Sequence, residues 1–171
     1  MTKNILAIIC SISLISCSPL YTLFVQNNSE KPIEVYVELK NEKYTRSFKK
    51  VFEKSKIHNY KKSKNIDEFD IDSIRHYLQA NRFSEKKYNF TSDLNYNFTL
   101  EPELITIIDP SNSISIYPFE KIYYVQDGKK CFIVPEALNQ ECNYKTIKKE
   151  KLKKDNSAKK YADFIEIENL K

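Results

Sequence analysis

Ile122-Tyr123-Tyr124-Val125-Gln126-Asp127-Gly128-Lys129-Lys130-Cys131-Phe132-Ile133-Val134 reads as a β-hairpin, and it sets the reading of the whole chain. Both flanks are rich in β-branched and aromatic residues, and the Asp-Gly pair supplies the positive φ angles that a two-residue turn of primed type requires. Gly128 is the single glycine of 171 residues. Working outward, Ile33, Val35, Val37 and Leu39 alternate with Glu34, Tyr36 and Glu38. That period of two describes a strand with one buried face. Asn27 to Pro32 is rich in turn formers, and the apolar segment Leu20 to Gln26 before it is expected to pair with that strand as a hairpin.

Further strands are expected at Tyr44 to Phe48, Tyr96 to Leu100, Leu104 to Asp109 and Ser113 to Tyr117, with Pro102, Asp109-Pro110-Ser111-Asn112 and Pro118 as separators. Their spacing predicts a mainly β chain folded as an antiparallel β-sandwich. Immunoglobulin-like connectivity is one way of joining such strands, and an α+β arrangement is the alternative. One helix is predicted from Asp72 to Asn81, because Ile74, Tyr77, Leu78 and Asn81 follow helical spacing and an aspartate can cap the first turn. Its apolar stripe is narrow, which places it on the surface of a sheet with His76 on the exposed or interfacial flank. Lys145 to Lys160 carries eight lysines against Glu150 and Asp155. The tail reads either as a solvated helix followed by a final strand or as one followed by a helical turn.

The start of the chain has a different character. Met1 to Asn4 holds one positive charge, at Lys3, and Ile5 to Ile15 is an apolar run of 11 residues. That run suits a secretory signal and is too short to span a bilayer, which takes about 20 apolar residues. It closes on Leu14-Ile15-Ser16-Cys17, which resembles the lipobox of bacterial lipoproteins. The resemblance covers residues 1–18. It implies cleavage before Cys17 and a thioether diacylglycerol plus an amide-linked acyl chain on that residue. Two or more chains give stable anchoring where one is marginal. The expected organisation is a signal peptide at 1–16, a lipidated N-terminus and short tether at 17–19, a β-rich domain at 20–144 and a lysine-rich C-terminal segment at 145–171. Removing residues 1–16 leaves 155, near the modal size for one domain.

Ser18-Pro19-Leu20-Tyr21 lacks the aspartate that in many Gram-negative lipoproteins favours the inner membrane, and also the acidic cluster that some use for surface export. The resemblance therefore implies the periplasmic face of the outer membrane, with the cell surface as alternative. In such a compartment the cysteines divide in order: Cys10 leaves with the signal, Cys17 carries lipid, and Cys131 and Cys142 are expected to form a disulfide.

Motifs for chemistry are weak. One glycine cannot build a phosphate-cradling loop, a Rossmann turn or a G-x-S-x-G elbow. His58 and His76 are spaced for no common zinc site. S-x-x-K occurs three times, at Ser47, Ser84 and Ser157, against about two matches expected from the serine and lysine content, and no K-T-G accompanies it. The acidic run Asp67 to Asp72 lacks the glycine and glutamate of a calcium loop and fits a helix N-terminus. No cofactor, metal or catalytic set is expected.

The net charge of +5 falls to +4 without Lys3, a mild imbalance, and nucleic acid is a poor partner for an exported chain. The remaining surface candidates are aromatic and basic. Tyr36, Tyr88, Tyr96, Tyr117, Tyr123 and Tyr124 include outward positions that could pair across strands or stack on sugars. Lys148, Lys149, Lys151, Lys153 and Lys154 are candidates for contact with an anionic surface. Together these features imply a membrane-anchored, non-catalytic envelope lipoprotein that binds another envelope protein. A glycan- or polyanion-binding module is the alternative.

Overall fold

A computed structural model describes residues 20–54, 58–62, 71–108, 118–134, 142–152 and 159–170. Among these residues, eleven strands and two helices run in the order β1 (Leu20–Asn27), β2 (Ile33–Leu39), α1 (Glu42–Lys54), β3 (His58–Lys61), α2 (Ile71–Ala80), β4 (Arg82–Glu85), β5 (Asn89–Phe90), β6 (Asn95–Leu100), β7 (Leu104–Ile107), β8 (Phe119–Gln126), β9 (Lys129–Val134), β10 (Tyr144–Leu152) and β11 (Lys159–Ile167). A six-stranded sheet, β10-β11-β1-β7-β3-β4, faces a five-stranded sheet, β5-β6-β2-β8-β9. The chain is mainly β, and its two antiparallel-rich sheets form a β-sandwich.

The hairpin expected around Asp127-Gly128 is β8–β9, with Gln126 opposite Lys129 and positive φ at both turn residues, 51° at Asp127 and 77° at Gly128. Strand β2 buries Ile33, Val35, Val37 and Leu39 as its alternation requires. These side chains meet Leu23, Val25, Ile165 and Ile167 of the opposite sheet in the core between the layers.

Strand β1 does not pair with β2. It lies in the other sheet, parallel to β11 from Leu20 beside Lys160 to Asn27 beside Ile167, and antiparallel to β7. The reason lies in its consecutive buried residues Leu23, Phe24 and Val25. A strand buried on both faces needs a central position, whereas β2 alternates because its sheet is covered on one face. Between them, buried Asn27 holds a turn that crosses the layers. Its side-chain amide donates to the carbonyls of Lys31 and Leu100, both at 2.9 Å, and its side-chain oxygen accepts from the Ser29 amide and hydroxyl.

Two further expectations are corrected. Tyr44 to Phe48 is part of α1, not a strand: Asn41 caps the helix by accepting from the Lys43 amide at 3.1 Å, and Tyr44, Phe48 and Val51 recur at helical spacing. Phe48 is fully buried and meets Tyr96 and Phe119 edge-on, so α1 closes one end of the sandwich. The lysine-rich tail contains no helix among its described residues. It supplies β10 and β11, the latter beside β1, so the segment after residue 144 is integral to the six-stranded sheet.

Helix α2 matches its predicted span and packs on the outer face of the six-stranded sheet. Ile74 and Leu78 cover Phe24, Ile105, Ala162 and Phe164, with Phe24 and Phe164 stacked at 4.6 Å. His76 is exposed. The expected strand at 113–117 lies outside the described residues.

Candidate functional site

Cys131 and Cys142 come to disulfide distance, with Cα atoms 5.6 Å apart. Cys131 lies on β9, an edge of the five-stranded sheet, and Cys142 precedes β10, an edge of the six-stranded sheet. The pair therefore clips the two layers together along one side, where the Tyr144 hydroxyl also donates to the Phe132 carbonyl at 3.1 Å. Nearby, burial and then the neighbouring Tyr144 push the Tyr124 hydroxyl up to about 12. Of the lysines singled out in the sequence, Lys148 is exposed on β10, and Lys149 and Lys151 occupy β10 positions opposite Ala162 and Lys160. Cys17, Lys153 and Lys154 lie outside the described residues.

Among the described residues, two hollows of differing chemistry offer a binding surface. The first, about 460 Å³, is lined by Phe83, Pro102 and Leu104 with Lys61, Glu101 and Glu103 around them. Its position follows from β3 and β7, which set Lys61 opposite Leu104, and from the adjacent edge strand β4, which presents Phe83. At 58 % exposure Phe83 is the large apolar side chain left open to solvent among the described residues. The Lys61 ammonium stands 5.6 Å from its ring centroid. Local hydrogen bonds hold the frame: the Tyr77 hydroxyl of α2 donates to the Lys61 carbonyl at 2.9 Å, and the Lys62 amide donates to the Glu103 carbonyl at 3.0 Å. Glu103 sits at φ 62°, in the left-handed region, and ion-pairs with Lys62. An apolar centre with charged residues at its margin is the anatomy of a protein contact.

The second hollow, about 290 Å³, lies on the outer face of the five-stranded sheet and is lined by Tyr36, Glu38, Asn95, Lys121, Tyr123 and Lys130, among others. Cross-strand register builds it. Tyr36 on β2 faces Tyr123 on β8, and the rings stack at 4.8 Å; Tyr123 in turn faces Phe132 on β9. Lys130 places its ammonium 3.8 Å from the Tyr123 ring centroid, and Lys121 pairs with Glu38 at 3.0 Å. The Tyr36 hydroxyl donates to the Glu34 carboxylate, and this hydrogen bond raises the Tyr36 pKa. Such a polar, aromatic groove can stack and hydrogen-bond a sugar.

Of the six tyrosines named from the sequence, Tyr36 and Tyr123 lie in this groove, Tyr96 and Tyr124 are buried and Tyr117 lies outside the described residues; the sequence carried no signal that β2 and β8 are neighbours. Phe83 was missed because a single aromatic in a short polar segment looks like any core residue until its exposure is known. No protein-family model, curated protein or solved structure matches this chain. The class defined by fold and surface is a β-sandwich with two candidate binding hollows.

Proposed function

We propose that this chain is a membrane-anchored envelope lipoprotein, held by acyl chains on Cys17, whose sandwich is a non-catalytic module that docks an envelope protein. The observation that carries the docking reading is the Phe83 hollow. Exposing an aromatic ring beside Pro102 and Leu104 leaves apolar surface in water, and burial against a partner would recover about 25 cal/mol per Å². The flanking lysine and glutamate pairs would set register more than affinity. The second reading, a glycan-binding module, is favoured by the Tyr36–Tyr123 groove, whose polar margin suits a hydroxylated ligand.

The two readings separate in one experiment: a photo-crosslinking residue placed at position 83, and in a second strain at position 123, irradiated in intact cells, with adducts identified by mass spectrometry. Docking predicts a recurrent protein adduct from position 83, and loss of the co-purifying protein in Phe83→Asp without a change in melting temperature. Adducts confined to position 123 and carrying glycan would replace the first reading with the second.

A further inference from the structure

The strand register gives the molecule two unlike ends. Leu20 pairs with Lys160, and Lys160 pairs with Lys151, so the first residue of β1 and these two lysines form a row across three strands. At about 4.8 Å between strands, the Lys151 backbone lies roughly 10 Å from Leu20. Cys17 is three residues before Leu20, a reach of at most about 10 Å. The lysine-bearing end of the β10–β11 hairpin therefore sits beside the point where the tether leaves the fold.

Helix α1 is at this same end. The Ile108 amide donates to the Leu23 carbonyl at 2.9 Å, and the Tyr96 hydroxyl donates to the Ile108 carbonyl at 2.8 Å. Tyr96 near the start of β6 is thereby level with the first half of β1, and α1 packs Phe48 onto Tyr96. The exposed residues of α1 include Lys43, Arg46 and Lys50, with Glu42 and Glu53 against them. Two segments far apart in sequence thus bring basic residues toward one end: these three from α1 and the strand positions of Lys149, Lys151, Lys159 and Lys160, with exposed Lys148 midway along β10, level with Leu23. Glu150 on β10 and Asp163 on β11, the latter opposite Lys148, are the acidic positions among the described residues of that part of the hairpin. Lysines meet carboxylates at both ends, Lys31 with Asp127 at 2.6 Å and Lys62 with Glu103 at the far one, Lys49 with Asp93 at 3.7 Å and Lys121 with Glu38 at 3.0 Å at this one, where Lys43, Arg46 and Lys50 are further exposed cations.

Lysines on β10 have a structural use, since charge on a long edge strand discourages strand addition. That use does not account for the exposed cations of α1, Lys43, Arg46 and Lys50, nor for the coincidence of both groups with the tether. We propose that this end is a second, electrostatic membrane contact, which seats the domain on the anionic phosphate headgroups of the leaflet holding the Cys17 lipid and points the Phe83 hollow away from the bilayer. This rests on the reading of Cys17 as lipid-bearing. A single point of lipid attachment limits distance from the bilayer but not orientation; a basic base plate supplies the orientation.

The test uses the full lipidated chain reconstituted into vesicles of phosphatidylcholine alone or with added phosphatidylglycerol, and compares amine-labelling rates by mass spectrometry. On anionic vesicles Lys43, Lys50 and Lys148 are expected to label about fivefold more slowly than on neutral ones, the factor that roughly 1 kcal/mol per charge implies, and high salt should abolish the difference. Lys31 and Lys129 at the far end should label alike on both. Equal labelling of all five lysines on both vesicles, with the chain still bound, would overturn the base contact and leave the anchor standing. A chain that fails to stay on neutral vesicles would remove the anchor reading, and the base contact with it.

Discussion

Lys86 directly follows β4, is 5 % exposed, and has its ammonium nitrogen 3.3 Å from the Phe98 ring centroid and 4.4 Å from that of Tyr88. It donates to the Ile107 carbonyl at 3.2 Å, and burial holds its pKa well below the usual 10.5. The unfolded chain therefore binds this proton more tightly than the folded one, and stability contributed at this site rises with pH from the lowered folded value up to about 10.5. Tyr124, raised to about 12 by burial, acts with the opposite slope: the unfolded phenol ionises first, so stability falls above about 10. Lys86→Met isolates the first effect. The variant should exceed the parent in stability at pH 7 by a margin that shrinks as pH approaches 10, measured by urea unfolding at each pH. A margin independent of pH would show that Lys86 keeps its proton equally in both states. No sequence signal marks this lysine among the 24 others of its kind, because its burial is produced by strands distant in sequence.

Elements were legible where the pattern was local. The Asp127-Gly128 turn, the alternation of β2 and the stripe of α2 each state their structure within about ten residues. Helix α1 was also legible, from Asn41 as its cap and the helical spacing of Tyr44, Phe48 and Val51, which a strand over Tyr44 to Phe48 leaves unexplained. Partner choice was not legible: the pairing of β1 with β11 joins residues about 140 apart, and nothing in either segment names the other. The hollows inherit that limit, since each is made by strand neighbours. The Cys131–Cys142 pair is the one long-lived link the sequence announced, and it ties edge strand β9 to the start of β10. Closing a loop of 12 residues, a disulfide there contributes about 3 kcal/mol in the chain-entropy account. Cys131→Ala/Cys142→Ala should lose about that much in urea unfolding, as should reduction of the parent; a loss near zero would show that the layers are held without the clip.

At the scale of the molecule, the parallel pairing of the first and last strands gives the fold its polarity. The chain enters β1 at the end carrying the α1 and hairpin lysines, and both β3–β7 and the β6–β7 turn lift the Phe83 hollow toward the other end. In the proposed reading, anchor, base and docking surface lie in sequence along one axis, which is the arrangement expected of a module that presents a partner site away from a bilayer. Everything in that arrangement depends on Cys17. The decisive measurement is the intact mass of the mature chain purified from its native membrane, with fragmentation of its N-terminal peptide. The account predicts a chain beginning at Cys17 and carrying diacylglycerol and an amide-linked acyl chain. An unacylated Cys17, or a mature chain that begins elsewhere, would contradict it.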